Sequence, residues 1–509
     1  MNIKSVSYIL GWILNIEAVL MGLPLVTAII YGEKQGFAFL IVMAVCAMIG
    51  YLLTHKRPNN PSFYAREGFV TTALSWIVMS FFGCLPFYLS GEIPHFVDAL
   101  FETVSGFTTT GASILSDVET MSHCCMLWRC FTHWIGGMGV LVFLLAVLPM
   151  VGGSNMHLMK AESPGPVVGK LVPKVRYTAR ILYMLYIVLT ILEFLLLMLG
   201  GMIPFEALCT AFGTAGTGGF GFRNDSFAGF SPYIQWVVTI FMIIFGVNFN
   251  VYFLILMRKF AQAARCEEMR WYLIIIAAST AMICANIYDA ALTFEHNLRN
   301  AAFQVASIIT TTGFATVDFD LWPAFSKCIL VALMFCGACA GSTGGGLKVS
   351  RWVMAAKSLG SYVGSFLHPR GVRRVRFEDK DVDSGTMNAI YVYFVGVFFV
   401  FSASVVVVSL ENMDLVSTFT AVAATFNNIG PGLALVGPTC NFGGLSDLSK
   451  AVLIFDMLTG RLEVFPMLLL LYPPLWRESY REYRHRKRRC AAPAREKNEE
   501  GIKAYGENL

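Results

Sequence analysis

The chain has 509 residues, of which 56% are hydrophobic, 14% aromatic and only 14% charged, and its mean hydropathy is +0.62. A soluble domain carries roughly a quarter charged residues, so there is too little charge here to cover a water-facing surface, and the expected class is an all-α polytopic membrane protein. The formal net charge of +5 is small, and nothing in it points to a nucleic-acid partner.

Apolar runs of spanning length fall, in chain order, at 7 to 30, 36 to 54, 68 to 90, 127 to 151, 180 to 201, 233 to 257, 271 to 291, 324 to 347, 385 to 410 and 451 to 475. Those ten lie at the low end of the roughly ten to fourteen spans that the length allows at about 20 residues each. The first run follows a single Lys4 and continues past signal-peptide length, so no cleaved leader is expected. The thirteen cysteines sit mostly in apolar segments and read as small buried hydrophobes, Cys336 and Cys339 included, although those two form a CxxC. With the N-terminus in the cytoplasm, 31 of the 38 lysines and arginines fall on the cytoplasmic side, and the outer connections hold only Lys34, Arg223, Arg299 and Lys450. The positive-inside rule therefore places both termini in the cytoplasm.

Four outer connections, 91 to 126, 202 to 232, 292 to 323 and 411 to 450, are neither short turns nor charged domains. Each opens on an apolar stretch too short to cross and then runs into Gly, Thr and Asn. That pattern predicts a half-helix followed by irregular backbone, which a membrane tolerates only where it is buried in protein or lines water. The four share a motif: Phe107-Thr108-Thr109-Thr110-Gly111-Ala112, Ala215-Gly216-Thr217-Gly218-Gly219-Phe220, Ile309-Thr310-Thr311-Thr312-Gly313-Phe314 and Phe426-Asn427-Asn428-Ile429-Gly430-Pro431. Aligned on Gly111, Gly218, Gly313 and Gly430, they repeat every 107, 95 and 117 residues. The expected organisation is a two-helix leader (1–66), four span–loop–span repeats (67–179, 180–269, 270–383 and 384–480, the third with a broken helix) and a basic cytoplasmic tail (481–509). The repeats would stand with pseudo-fourfold symmetry around one axis.

Four backbone segments whose carbonyls face a common axis replace the hydration shell of a monovalent cation, as in potassium channels. Glycine allows the backbone turn that aims those carbonyls inward, and a preceding threonine adds a hydroxyl oxygen. The expected filter comprises Thr109, Thr110 and Gly111; Thr217 and Gly218; Thr311, Thr312 and Gly313; and Asn428, Ile429 and Gly430. Potassium would be held at Thr110, Gly111, Thr217, Gly218, Thr312, Gly313, Ile429 and Gly430. The fourth loop lacks the threonine before its glycine, so the ring is asymmetric, and one glycine per loop predicts looser discrimination than a TVGYG filter gives. The outer connections hold fourteen Asp and Glu against four basic residues, a sign bias that concentrates cations at the entrance.

These features resemble the Trk/Ktr/HKT superfamily of potassium transporters, and most closely the bacterial Trk-type potassium uptake subunit. The resemblance rests on the four loops, on Trp128 to Leu144, on Gly337 to Arg351 (GACAGSTGGGLKVSR) and on Asp456 to Pro466 (DMLTGRLEVFP). It implies one pore per chain, a homodimer in the bacterial cytoplasmic membrane, and a separate cytoplasmic ring subunit that binds NAD or ATP and controls opening. No covalent cofactor and no enzymatic activity are implied, and potassium is the cargo.

The run Gly341, Ser342, Thr343, Gly344, Gly345 and Gly346 breaks the eighth span. In the family the matching stretch is an intramembrane loop that obstructs the pore, so these residues, with Lys348, are expected to form the gate. Arg461, deep in the tenth span, adds a fixed positive charge below a cation filter; the alternative is an ion pair with Asp456 or Glu463. Arg129, His133 and Trp134 are expected to pack and anchor, Glu17, Glu193 and Asp289 have no assigned role, and the run Arg484 to Arg489 is expected to contact anionic lipid. A proton- or sodium-coupled symporter is the alternative function.

Overall fold

A segment surrounded by hydrocarbon must satisfy its own backbone, and a helix does so locally. Accordingly, the computed structural model, which describes residues 2–56, 65–139, 175–367 and 374–477, is built largely of helices, with one short hairpin (Arg376–Phe377 paired to Lys380–Asp381). Six helices among the described residues are long and apolar enough to cross a membrane: Ile3–Tyr31, Gly36–Thr54, Arg66–Ser90, Arg180–Leu199, Glu267–Asn286 and Ser384–Glu411. Each matches an expected span, with ends shifted by five residues at most. The first pair crosses closely at two glycines. A Cβ on Gly11 would lie 3.0 Å from the Gly50 carbonyl oxygen, and one on Gly50 would lie 2.8 Å from that of Gly11, the small-residue packing that brings membrane helices together.

The four outer connections contain the helices Phe96–Phe107, Pro204–Gly216, Phe294–Ile309 and Leu415–Phe426. With 12 to 16 residues and a rise of about 1.5 Å per residue, they are too short to cross. Asp98, Glu206 and Glu295 sit in the first turns of three, and Asp414 caps the fourth by accepting from the Ser417 N–H. Acidic groups at a helix N-terminus complement its macrodipole. The opposite ends are wholly buried, from Glu102 to Phe107 and from Thr420 to Phe426, for example.

The remaining four expected spans, those that follow the re-entrant loops, are not continuous helices. His123–Gly137 ends early, and residues 140–151 of that span lie outside the described residues. Pro232–Gly246 and Phe249–Leu256 meet at a 92° bend. Ala324–Met334 is separated from Val349–Leu367 by a loop that starts at Phe335, well before the expected glycine run, and Asp447–Arg461 gives way to Phe465–Leu471 through Glu463 and Val464, both with positive φ. The glycine run marks the third break in the sequence, and no comparable run marks the others. Close packing explains two of them: a Cβ on Gly136 would strike the Phe107 carbonyl, and one on Gly460 would strike that of Phe426. The boundary at 480 and the tail 481–509, with Arg484 to Arg489, lie outside the described residues.

Candidate functional site

The four re-entrant helices end in the same way. Thr109, Thr217, Thr311 and Asn428 take φ values of 56°, 53°, 60° and 57°, and each donates its N–H three residues back, to Gly106, Thr214, Ile308 and Thr425. The next N–H, from Thr110, Gly218, Thr312 and Ile429, reaches five residues back at 2.8–2.9 Å. This pair of bonds is the Schellman closure, which satisfies carbonyls a helix end would leave open. Positive φ then recurs at Gly111, Gly219, Gly313 and Gly430 (78°, 81°, 84° and 99°). The second loop is therefore shifted by one from the sequence alignment: Gly219 stands with the other three glycines, and Gly218 takes the place of Thr110. Two adjacent glycines left that register open, and Gly219 was missed. Left-handed φ is strained for a β-branched residue, so three threonines at one position store strain in the manner of functional sites.

The loops also touch one another in cyclic order. A Cβ on Gly111 would strike the Gly218 carbonyl, one on Gly219 that of Thr312, one on Gly313 that of Ile429, and one on Gly430 would lie 2.8 Å from that of Thr110. Each carbonyl of the left-handed loops thus leans on the glycine of the preceding loop, and the sequence first, second, third, fourth closes on itself. Thr109, Thr110, Thr217, Thr311, Thr312, Asn428 and Ile429 are all fully buried.

The side chains are less alike than the backbone. The Thr110 hydroxyl pairs with Thr108 at 2.8 Å and accepts from Asn428 Nδ2 at 2.9 Å, while Thr312 pairs with Thr310 at 2.8 Å. Both hydroxyls are engaged within their own loops, and Thr110 is also tied to the fourth loop. The Thr109 Oγ1 and Asn428 Oδ1 atoms find no hydrogen-bond partner among the described residues. Behind the ring, His133 Nε2 accepts from the Phe220 N–H at 3.1 Å, so the proton resides on Nδ1, which lies 2.7 Å from the Gly106 carbonyl. His133 is a neutral staple between the first and second loops. Arg129 forms a buried ion pair with Glu102 at 2.6 Å and donates to the Gly221 carbonyl at 2.8 Å, and Glu102 also accepts from Ser113 and the Ile114 N–H. At the N-terminal ends of Phe96–Phe107 and Asp447–Arg461, Lys450 pairs with Asp98 and ties the fourth repeat to the first.

The loop 335–348 lies against the third and fourth loops. The Gly345 N–H donates to the Thr311 hydroxyl at 2.7 Å, and a Cβ on Gly345 would lie 2.8 Å from that of Asn428. The bend after Gly246 frees carbonyls that the loop uses: Cys339 N–H donates to Gly246 at 3.1 Å and the Thr343 hydroxyl to Phe245 at 3.2 Å. Gly341 accepts from the Phe249 N–H at 3.0 Å, and Ser342 folds back on the Cys339 carbonyl at 2.7 Å. Lys348 donates to the carbonyls of Gly344 and Gly345, and Gly346 takes φ 65°. Arg461 donates to Thr343 at 2.9 Å on one side and to Gly136 and Gly137 at 2.6 and 3.1 Å on the other. It bridges the loop to the first repeat. The nearby carboxylates serve other partners, Glu463 with Arg351 and Asp456 with Ser404.

Re-entrant helices that end on one closed ring of buried loops, set among membrane-crossing helices, define a polytopic membrane transport protein. A family model described as TrkH, cation transport protein, matches residues 35–477, and the chain belongs to that family; it is a transporter family, not one of enzymes. The chain is 36% identical over 489 residues to the Trk system potassium uptake protein TrkH of Salmonella typhimurium, covering 94% of this chain and 100% of the relative. It is 31% identical over 489 residues to the Trk system potassium uptake protein TrkG of Escherichia coli, with 94% and 99% covered. The crystal structure of the potassium transporter TrkH from Vibrio parahaemolyticus superposes with a TM-score of 0.82 at 31% identity, covering 94% of this chain and 100% of that one.

Proposed function

We propose that this chain takes up potassium across the bacterial cytoplasmic membrane, both termini inside, through the ring formed by Thr109–Gly111, Thr217–Gly219, Thr311–Gly313 and Asn428–Gly430. The observation that carries this reading is the cyclic contact of four identically closed loops. Their helices point carbonyl ends, with the negative pole of the dipole, at the place a cation would occupy. Relatives covering nearly the whole chain are named as potassium uptake proteins.

The loop 335–348 serves as the gate. It presses on Thr311 and Asn428 from one side of the ring, and Lys348 and Arg461 occupy carbonyls there that would otherwise face a passing ion. The functional unit is a homodimer, and a cytoplasmic nucleotide-binding ring subunit controls the loop. A gated path is favoured over coupling to protons or sodium because the ring's own side chains are Thr, Asn and Ile, none of which titrates. Potassium and sodium flux in liposomes containing the full chain tests the reading. Flux that follows the potassium gradient alone is expected. Potassium accumulation driven by a proton gradient in its absence would replace the gated pore with a symporter.

A further inference from the structure

Glu268 lies in the first turn of Glu267–Asn286 and is 2% exposed. Its Oε1 accepts from the Ala340 N–H at 2.7 Å and from the Ser350 N–H at 3.1 Å. Ala340 immediately precedes the glycine run, and Ser350 lies in the first turn of Val349–Leu367, just past its end. One oxygen therefore pins both ends of the segment that touches Thr311 and Asn428 of the ring. The Ser350 N–H is also one of the donors that a helix start leaves without an intrahelical partner, and the macrodipole favours a carboxylate there.

We propose that Glu268 is a positioning residue that latches the intramembrane loop in its obstructing place, an inference that rests on reading the loop as the gate. Besides the Gly345 bond to Thr311 and the Arg461 bond to Thr343, which tie the middle of the loop to the ring and to the first repeat, the other loop bonds are of two kinds. Gly337 to Leu347 at 2.8 Å and Val349 to Ala338 at 3.3 Å lie within the loop's own neck and travel with it, while Cys339, Gly341 and Thr343 bond the main chain of residues 245–249. The Glu268 latch differs because its helix start also bears the hairpin Arg376–Asp381. Glu267 pairs with Lys357 and accepts from the Glu378 N–H at 3.4 Å, and Lys357 donates to the Arg376 carbonyl at 2.8 Å. Displacement of that hairpin by anything docking on it would act first on residues 267 and 268. The loop ends follow, because two donors sharing one acceptor cannot part while both bonds hold.

The test is potassium flux through the full chain in liposomes, without any partner. Glu268→Ala removes both bonds and is expected to raise flux about tenfold, each bond contributing an ordinary net strength. Glu268→Gln keeps an oxygen that accepts both bonds and should remain near wild type. Ser350→Pro removes one donor, suits the first turn of a helix, and should give an intermediate rise; it decides the matter if Glu268→Ala is not recovered as a monodisperse protein. Wild-type flux in Glu268→Ala and Ser350→Pro, alongside raised flux in a chain lacking residues 342–344, would overturn the latch and leave the gate standing. If the shortened chain is no faster than wild type, the gate reading falls and takes the latch with it.

Discussion

The two sides of the ring are built on opposite rules. On the ring itself four loops share one closure, one φ pattern and one contact with the next loop. On the side of the broken helices the four repeats diverge: an early helix end, a 92° bend, an inserted loop and a three-residue break. Under the proposed function the ring coordinates one ion from all sides, which requires equivalent carbonyls and so a repeating geometry. A gate requires one element that moves against fixed neighbours, and a symmetric arrangement would supply four competing ones.

The sharpest way to break this contrast is to put a methyl group into the ring. Gly219→Ala forces a left-handed alanine and drives its Cβ into the Thr312 carbonyl, costing about 2–6 kcal/mol at the ring from backbone strain and overpacking together. Potassium flux in liposomes is expected to fall at least a hundredfold. Equal losses are expected for Gly111→Ala and Gly313→Ala, with Gly430→Ala the mildest because its nearest oxygen is 2.8 Å away. Normal, selective flux in Gly219→Ala would undo the register assigned to the second loop.

The next test strikes the support behind the ring. Arg129 and Glu102 are 3% and 0% exposed, and removing one partner of a buried pair costs about 3–5 kcal/mol. Arg129→Ala is expected to lower the thermal midpoint in detergent markedly, and the double change Arg129→Met with Glu102→Met to recover much of the loss. Absence of recovery would mean that Arg129 matters through its bond to Gly221 rather than through the pair.

On the other side of the ring, Arg461→Ala should do the reverse and raise partner-free potassium flux. A guanidinium about 8 Å from a monovalent cation, at an effective dielectric near 20, repels it by about 2 kcal/mol, or roughly thirtyfold in rate. A folded variant with unchanged flux would reduce Arg461 to a strut between Thr343 and Gly136.

Much of this contrast was legible in the residues. The Thr-Gly motifs at regular spacing located the four loops, and the six unbroken spans fell within a few residues of their expected ends. What stayed hidden depended on partners far away in the chain. Asn248 and Asn250 follow Gly246, and Arg461 and Glu463 flank Leu462, but scattered polar residues in a long apolar run do not by themselves announce a break, and these breaks accommodate the ring and the inserted loop. The register of Gly218 and Gly219 was equally silent, since either glycine satisfies the motif and only the bond from Gly218 N–H to Gly213 chooses between them. Glu268 drew no notice because a glutamate at a helix start reads as an ordinary favourable charge, and its role appears only once residues 340 and 350 arrive beside it.

The fourth loop offers the finest test, because it departs from its three counterparts in chemistry but not in backbone. Asn428 occupies the left-handed position where the others carry threonine, and its Nδ2 reaches Thr110 Oγ1 at 2.9 Å and the Met457 carbonyl at 2.9 Å. Asparagine tolerates left-handed φ better than a β-branched residue, and here it also joins the last loop to the first. Asn428→Thr would make that position of the ring uniform while removing both bonds, at about 0.5–1.5 kcal/mol each. If the ring's closure at this seam sets discrimination, the potassium-to-sodium flux ratio should fall by several fold with total flux little changed. If hydroxyl count sets it instead, the ratio should rise, and the asymmetry of the fourth loop would then be a limit on selectivity rather than its support.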